Sequence, residues 1–239
     1  MPNTLFLRLE SPLQSWGEDS QWSERRTAPE PTKSGVVGLL ACALGWNDDA
    51  RIRDLARRVR VGVRCDVRGT SAPLKDYHTV GGGYTSPQLL NAKGELKISS
   101  GKPHTEPTSR YYLCDTSFLV AVQADADTIA QLAHAVQFPV WQLYLGRKSC
   151  VPTVPPFDGV DDYPNLAEAL QKHPARFIAN ERVVDQRPRI VIECESRQAG
   201  AVRHRDQIAS RTYRLFEPRY SHESRLPNEV RVEILDEGA

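Results

Sequence analysis

The sequence predicts an α+β fold from three observations. Apolar residues alternate with period two in TLFLRLE (4–10), VRVGVRCDV (59–67), SFLVAVQA (117–124) and VWQLYLG (140–146), the mark of strands with one buried side. Helical spacing recurs between the first pair and between the last pair, so the order is strand, helix, strand, strand, helix, strand. About 50 residues separate the second strand from the third, where a hairpin needs only a few. Together these give a ferredoxin-like (RRM-like) domain over residues 1–150 with a long inserted β-hairpin thumb at about 68–116. Residues 151–239 add a C-terminal β-rich, Arg-rich portion packed on the same body.

In the first strand Leu5, Leu7 and Leu9 share a face. From Thr32 or Ser34 onward, Val36, Leu40 and Leu44 stand at helical spacing and Gly45 is placed to stop the helix. In DDARIRDLARRV, Ile52, Leu55, Ala56 and Val59 fall at i, i+3, i+4 and i+7, behind two carboxylates, Asp48 and Asp49, suited to a helix start. Arg51, Arg53, Arg57 and Arg58 lie off that stripe, on a solvated face. A further helix, DADTIAQLAHAV, sets Ile129, Leu132, Ala133 and Val136 on one side. The insert is poor in aliphatics and rich in Gly, Pro, Ser, Thr, Tyr and Lys; it cannot form a core, so it projects as an arm with a small hairpin around Asn91 to Gly94. After residue 150 come the proline-rich loop VPTVPPFDGVDDYP and a short helix around Leu166 to His173. A strand RIVIECE has Ile190, Ile192 and Cys194 on one face, an Arg-rich run begins at Arg197, and a last strand lies in EVRVEILDEGA.

Composition excludes several classes. A 40% hydrophobic and 26% charged chain with no apolar run near the roughly 18 residues of a membrane helix does not span a bilayer by helices. Without a signal-like N-terminus, a cytoplasmic location and no membrane partner are expected. Five cysteines, far apart and odd in number, indicate neither a disulfide framework nor zinc, and Asp161 and Asp162 read as turn residues; no metal and no cofactor are expected. The net charge of +1 gives no global sign of nucleic acid, although only seven of the 31 basic residues are lysines. Arginine forks suit phosphates and stacking, and a GC-rich genome would give the same bias.

PEPTKSGVVG invites comparison with a phosphate-binding loop, but no Gly precedes Lys33 and Pro29 and Pro31 stand where glycines are needed. Two readings remain. The helix start, with Lys33 and Thr32 or Ser34, holds one backbone phosphate; or Thr32 or Ser34 merely caps the helix while Gly35 and Gly38 let it pack closely. Trp16 and Trp22, beside Gln14, Arg25 and Arg26, suit base stacking, or else core or partner contact. In LGRKSC, Gly146 followed by Arg147, Lys148 and Ser149 is a turn able to meet a phosphate, or simply a basic turn. KDYHT and RYY supply Lys75, Tyr77, His78, Arg110, Tyr111 and Tyr112. These are the groups a metal-independent endoribonuclease uses on a 2′-OH, and equally the groups of a solvated, RNA-contacting arm.

LQSWG after the first strand, RRTAPEPTKSGVVGLLACALGW, KDYHT opening the insert, SRYYLCDTSFLVAV closing it, LGRKSCVP, and RDQIASRTYRLFEPR near the end resemble the CasD family. Its members are RAMP-superfamily subunits of the type I-E Cascade complex, a CRISPR antiviral ribonucleoprotein. The likeness spans essentially the whole chain. It implies a non-catalytic, RNA-binding, architectural subunit that caps one end of the complex and holds the 5′ handle of the CRISPR RNA. Implied partners are the backbone subunit beside the thumb, the large subunit, and target DNA through the assembled complex. By motif, Gln14, Ser15, Trp16, Arg25, Arg26, Thr27, Lys33 and Ser34 would line the handle groove. Lys75, Tyr77, His78, Arg110 and Tyr111 would lie at the thumb base, and Arg147, Lys148, Arg205 and Arg211 would contact phosphates. Relatives of another subtype cleave repeat RNA with Tyr, Lys and His, so an endoribonuclease is the alternative that Tyr77 and His78 leave open.

Overall fold

A computed structural model describes residues 1–17, 23–69, 72–83, 89–178, 185–196 and 198–235. The chain opens with β1 (Thr4–Gln14) and a two-residue strand β2 (Glu24–Arg25), then α1 (Lys33–Ala43), α2 (Asp49–Arg58) and β3 (Arg60–Val67). The insert contains β4 (Leu74–Gly81), β5 (Ile98–Ser99) and β6 (Lys102–Pro103), and runs into β7 (Thr105–Gln123). After α3 (Ala126–Gln137) come β8 (Phe157–Asp161), α4 (Leu166–Lys172) and β9 (Ala175–Ile178). The chain finishes with β10 (Arg189–Cys194), β11 (Val202–Ser210), β12 (Leu215–Arg225) and β13 (Val232–Leu235).

The main sheet has the order β11-β12-β10-β3-β7-β1-β8, and every neighbouring pair along it is antiparallel. Period-two alternation gives it two apolar faces. Leu5, Leu7, Leu9, Val61, Val63, Val120 and Val122 form one core with α1, α2 and α3. Phe6, Leu119, Ala121 and Ile190 form the other, under α4 and Phe177 of β9. Each fully buried side chain of this kind contributes about 1.5–3 kcal/mol.

The helices start and stop where the sequence says they should. Thr32 caps α1 by accepting from the Gly35 N–H, Asp48 caps α2 through the Ala50 and Arg51 amides, and Asp125 caps α3 through Thr128. Gly45, at φ +68°, lies just beyond the end of α1. On the second face Arg64 is buried against Asp66 at 2.5 Å and donates to the carbonyls of Leu170 and His173, satisfying the C-terminal carbonyls of α4.

β7 is longer than its apolar pattern suggests. Its C-terminal half lies between β1 and β3, while residues 105–112 leave the sheet and pair antiparallel with β4, from Leu74↔Tyr112 to Gly81↔Thr105. Asp115, at φ +51°, marks the change. This two-stranded arm carries a turn at Asn91–Gly94, closed by the Leu90↔Leu96 bridge, and the short β5–β6 pair.

One predicted strand is corrected. Residues 140–146 form no ladder; the place beside β1 belongs to β8. The alternation there is genuine, since Leu143 and Leu145 are buried, but the backbone bonds elsewhere: Val140 N–H to Ala43 O, Ser15 N–H to Leu145 O, and Leu145 N–H to Cys150 O. β8 itself follows Pro155 and Pro156 inside the segment read as a loop, a place an edge strand tolerates.

Candidate nucleic-acid interface

The start of α1 is the first place to look for a bound phosphate, and protein groups already fill it. The Asp206 carboxylate of β11 accepts the Lys33 backbone N–H at 2.9 Å, and Arg219 of β12 holds the same carboxylate by two bonds of 2.8 Å. The Lys33 side chain is 2% exposed, with Nζ 2.7 Å from Glu193 Oε1 and 3.2 Å from Gln207 Oε1. Burial pulls the Lys33 amine below its ordinary pKa, and Glu193 offsets part of that. Burial also opposes the Asp206 charge, but the Arg219 bonds and the Lys33 amide outweigh it and hold the carboxyl below its usual range. The phosphate-ligand reading of Lys33 is therefore corrected, and Thr32 is the cap.

Gln14, Ser15 and Trp16 are likewise interior. Trp16 is 1% exposed, its indole N–H donates to Gln14 Oε1 at 3.1 Å, and the Gln14 amide donates to the carbonyls of Leu9 and Thr116. The indole lies so close to α1 that a Cβ at Gly35 would stand 2.7 Å from its Cε3. Stacking on RNA through Trp16 is thus corrected to packing, because the apolar ring closes the first core. Thr27 is also committed, accepting the Trp16 N–H at 2.8 Å and donating to Ala28 O at 3.0 Å. Trp22 lies outside the described residues.

The base of the arm gathers the cations. β2 pairs parallel with β7, setting Arg25 against Arg110. Arg147 donates to Arg25 O at 2.9 Å, and its guanidinium lies 4.6 Å from the Tyr112 ring centroid. The turn that delivers Arg147 and Lys148 requires glycine: Gly146 has φ +89°, and a Cβ there would stand 1.7 Å from Ser15 O. Among the described residues, Arg25, Arg110, Arg147, Lys148 and Lys75 have no carboxylate within ion-pair distance, whereas Arg26 pairs with Glu24 at 3.2 Å.

Register sorts the arm residues by face. Lys75, Tyr77 and Tyr111 share one face, with the Lys75 amine 5.8 Å from the Tyr111 ring centroid and Tyr77 69% exposed. Asp76, His78, Arg110 and Tyr112 share the other, and His78 bonds Asp76 there. Tyr77 and His78, adjacent in sequence, thus point in opposite directions.

Between the arm base and the β11–β12 hairpin lies an open cleft of about 590 Å³. Ser15, Trp16, Gly17, Ser34, Gly35 and Gly146 line it together with Arg211, Arg214 and Phe216, and among the described residues no carboxylate does. Arg205 is exposed on β11 but lines no part of it. Sequence reasoning named Arg211 and Ser34 and missed Arg214 and Phe216. The signal was present in RTYRLF, where arginines and aromatics alternate as they do around single-stranded nucleic acid.

Burial pushes the Cys65 thiol up to about 11 and raises Cys42, Cys150 and Cys194 as well.

The family model described as CRISPR-associated protein (Cas_Cas5) matches residues 4–225. The chain belongs to that family. Among its Cas5 relatives, CRISPR system Cascade subunit CasD of Escherichia coli (strain K12) is 36% identical over 182 residues, covering 71% of this chain and 76% of that protein. A solved structure described as a Cas protein is 35% identical, covers 94% of this chain and 95% of its own, and superposes with a TM-score of 0.68. A chain of a CRISPR RNA-guided surveillance complex is 31% identical, with 95% and 90% covered and a TM-score of 0.70. This Cas5 chain shares with those structures its mixed α/β, mostly antiparallel architecture.

Proposed function

We propose that this chain is a non-catalytic, RNA-binding architectural subunit of a type I-E CRISPR antiviral surveillance complex and holds the 5′ handle of the CRISPR RNA. The observation that carries this reading is the likeness, over 95% of the chain, to a chain of a CRISPR RNA-guided surveillance complex. The cleft beside the arm supports it: arginines, an aromatic ring and small residues, with no carboxylate among the described lining residues, suit a single strand held by its phosphates with bases laid on aromatic faces.

In this reading β1, α1, β3, β7 and α3 of residues 1–150, completed by β8 from just beyond that bound, make a ferredoxin-like domain, the arm is its thumb, and the rest of 151–239 is a C-terminal extension. Arg25, Arg26, Arg110, Arg147 and Lys148 meet phosphates at the thumb base, Ser34 and Arg211 in the cleft, and Arg205 farther along β11. Lys75, Tyr77 and Tyr111 offer the outer face of the thumb to the guide and to the adjoining backbone subunit. Gln14, Ser15, Trp16, Thr27 and Lys33 shape the groove from within, and His78 stays with Asp76. The large subunit and, through the assembled complex, target DNA complete the partners, in the cytoplasm. The endoribonuclease alternative asks Tyr77 and His78 to act on one phosphodiester, and their opposite faces on β4 speak against it.

The test is titration of the full chain with a labelled CRISPR repeat-derived RNA in EDTA at several salt concentrations. Salt-sensitive binding of intact RNA is expected. Affinity independent of salt would sink the reading, and product ending in a 2′,3′-cyclic phosphate would replace it with the enzyme.

A further inference from the structure

Resting on that RNA-binding reading, we infer that one unpaired base of the bound RNA inserts into a second cleft, between the middle of α1 and residues 141–146. This cleft encloses about 260 Å³, and Gly38, Cys42, Trp46, Trp141, Tyr144 and Arg211 line it. Three aromatic rings in one small recess are the means by which proteins hold single-stranded bases, since every base has a face to stack. Trp141 is 43% exposed, a large apolar surface left to water by the unbound chain. Arg211 also lines the larger cleft, so a phosphate held there leaves its own base within reach of the recess.

Gly38 supplies a separate argument. It lies in the interior of α1, exposed, and a Cβ built on it would meet nothing within 4 Å. No packing inside the chain requires glycine there, and alanine would strengthen the helix. What glycine provides is a floor without a side chain, on which a planar ring can lie. An aromatic side chain from a neighbouring subunit is the rival occupant. The arginine shared with the larger cleft, held by Asn47 O and 3.9 Å from the Asp49 carboxylate behind it, and the lack of a carboxylate among the described lining residues favour the base of a polyanion.

The experiment uses the full chain, a CRISPR repeat-derived single-stranded RNA, and the same RNA with one abasic residue at each position in turn. In the wild type, one abasic position should weaken binding about tenfold. Trp141→Ala should weaken intact RNA by a similar factor and lose sensitivity to that abasic position, while Trp141→Phe keeps both. Gly38→Ala should raise the Tm yet weaken intact RNA. If every abasic RNA loses as much on Trp141→Ala as intact RNA does, no base enters the recess, although the RNA-binding reading stands. If Trp141→Ala binds every RNA as the wild type does but fails to join the complex, the occupant is a protein side chain and the inference is overturned. If the wild type binds no RNA, both readings fall.

Discussion

Lys33 Nζ lies 2.7 Å from Glu193 Oε1, beneath the helix start that looks in sequence like a phosphate grip. Lys33 is buried and Glu193 half-buried, so the roughly 3–5 kcal/mol typical of breaking a fully buried pair is an upper bound for removing the amine. Lys33→Ala is therefore expected to lower the urea midpoint strongly. The folded fraction should bind RNA as the wild type does, checked by anisotropy under native conditions; weaker RNA binding at unchanged stability would show Lys33 at the surface.

Asp206 gives a pH dependence with a definite sign. Its folded-state pKa lies below the unfolded value of about 3.9, so its contribution is complete above that value and is lost as the pH falls below it. Denaturant midpoints measured from neutral pH down to about pH 3 should fall along the acid limb. Asp206→Asn should lower stability at neutral pH and flatten that limb. An unchanged acid limb would mean that Arg219 does not hold the carboxylate in solution.

At the arm base, Arg147→Ala removes a cation without a carboxylate partner among the described residues and also its contact with the Tyr112 ring. RNA affinity should fall about tenfold, and the slope of log affinity against log salt should become shallower by about 0.7, the value for one lost phosphate contact on a single strand. Arg211→Ala, which also removes a cation 3.9 Å from Asp49, should lower affinity with a smaller change in slope, and Arg53→Ala, on the solvated side of α2, should leave both quantities unchanged.

Gly146→Ala tests how the basic turn is seated. A Cβ 1.7 Å from Ser15 O, at a φ of +89°, cannot be accommodated without moving the backbone. Loss of more than about 1 kcal/mol of stability is expected, along with weaker RNA binding at native temperature. Wild-type stability in thermal melts would show that the turn does not approach Ser15 so closely.

These positions also mark how far the sequence could be read. Helix starts are local: of the two candidates read for α1 Thr32 is the cap, of the two carboxylates read before α2 Asp48 is, and Asp125, not singled out in the sequence, caps α3. The partners of Lys33 are not local: Glu193 and Asp206 lie more than 150 residues away, so a cation at a helix start looked free. Alternation in 140–146 fits the burial of Leu143 and Leu145 but not the exposure of Trp141 on the same period, and the backbone there bonds to α1 and to its own turn instead of a ladder. Residues 105–116 hid half of β7 because a strand in a two-stranded arm needs no apolar face, and Pro107 argued against it. The arm residues were read as one group without sides; only the pairing of β4 with β7 separates Tyr77 from His78.

The 19 residues of β7 run from the middle of the main sheet into the arm, with one bend at Asp115, whose φ is +51°. Arm and core thus share one strand, anchored in the core at Val120 and Val122 and braced on the arm side of the bend by β2, which pairs with Ser109 and Arg110. The course of the arm is therefore set by the fold of the sheet it leaves, and if the proposed RNA lies along it, less freedom is left for association to remove.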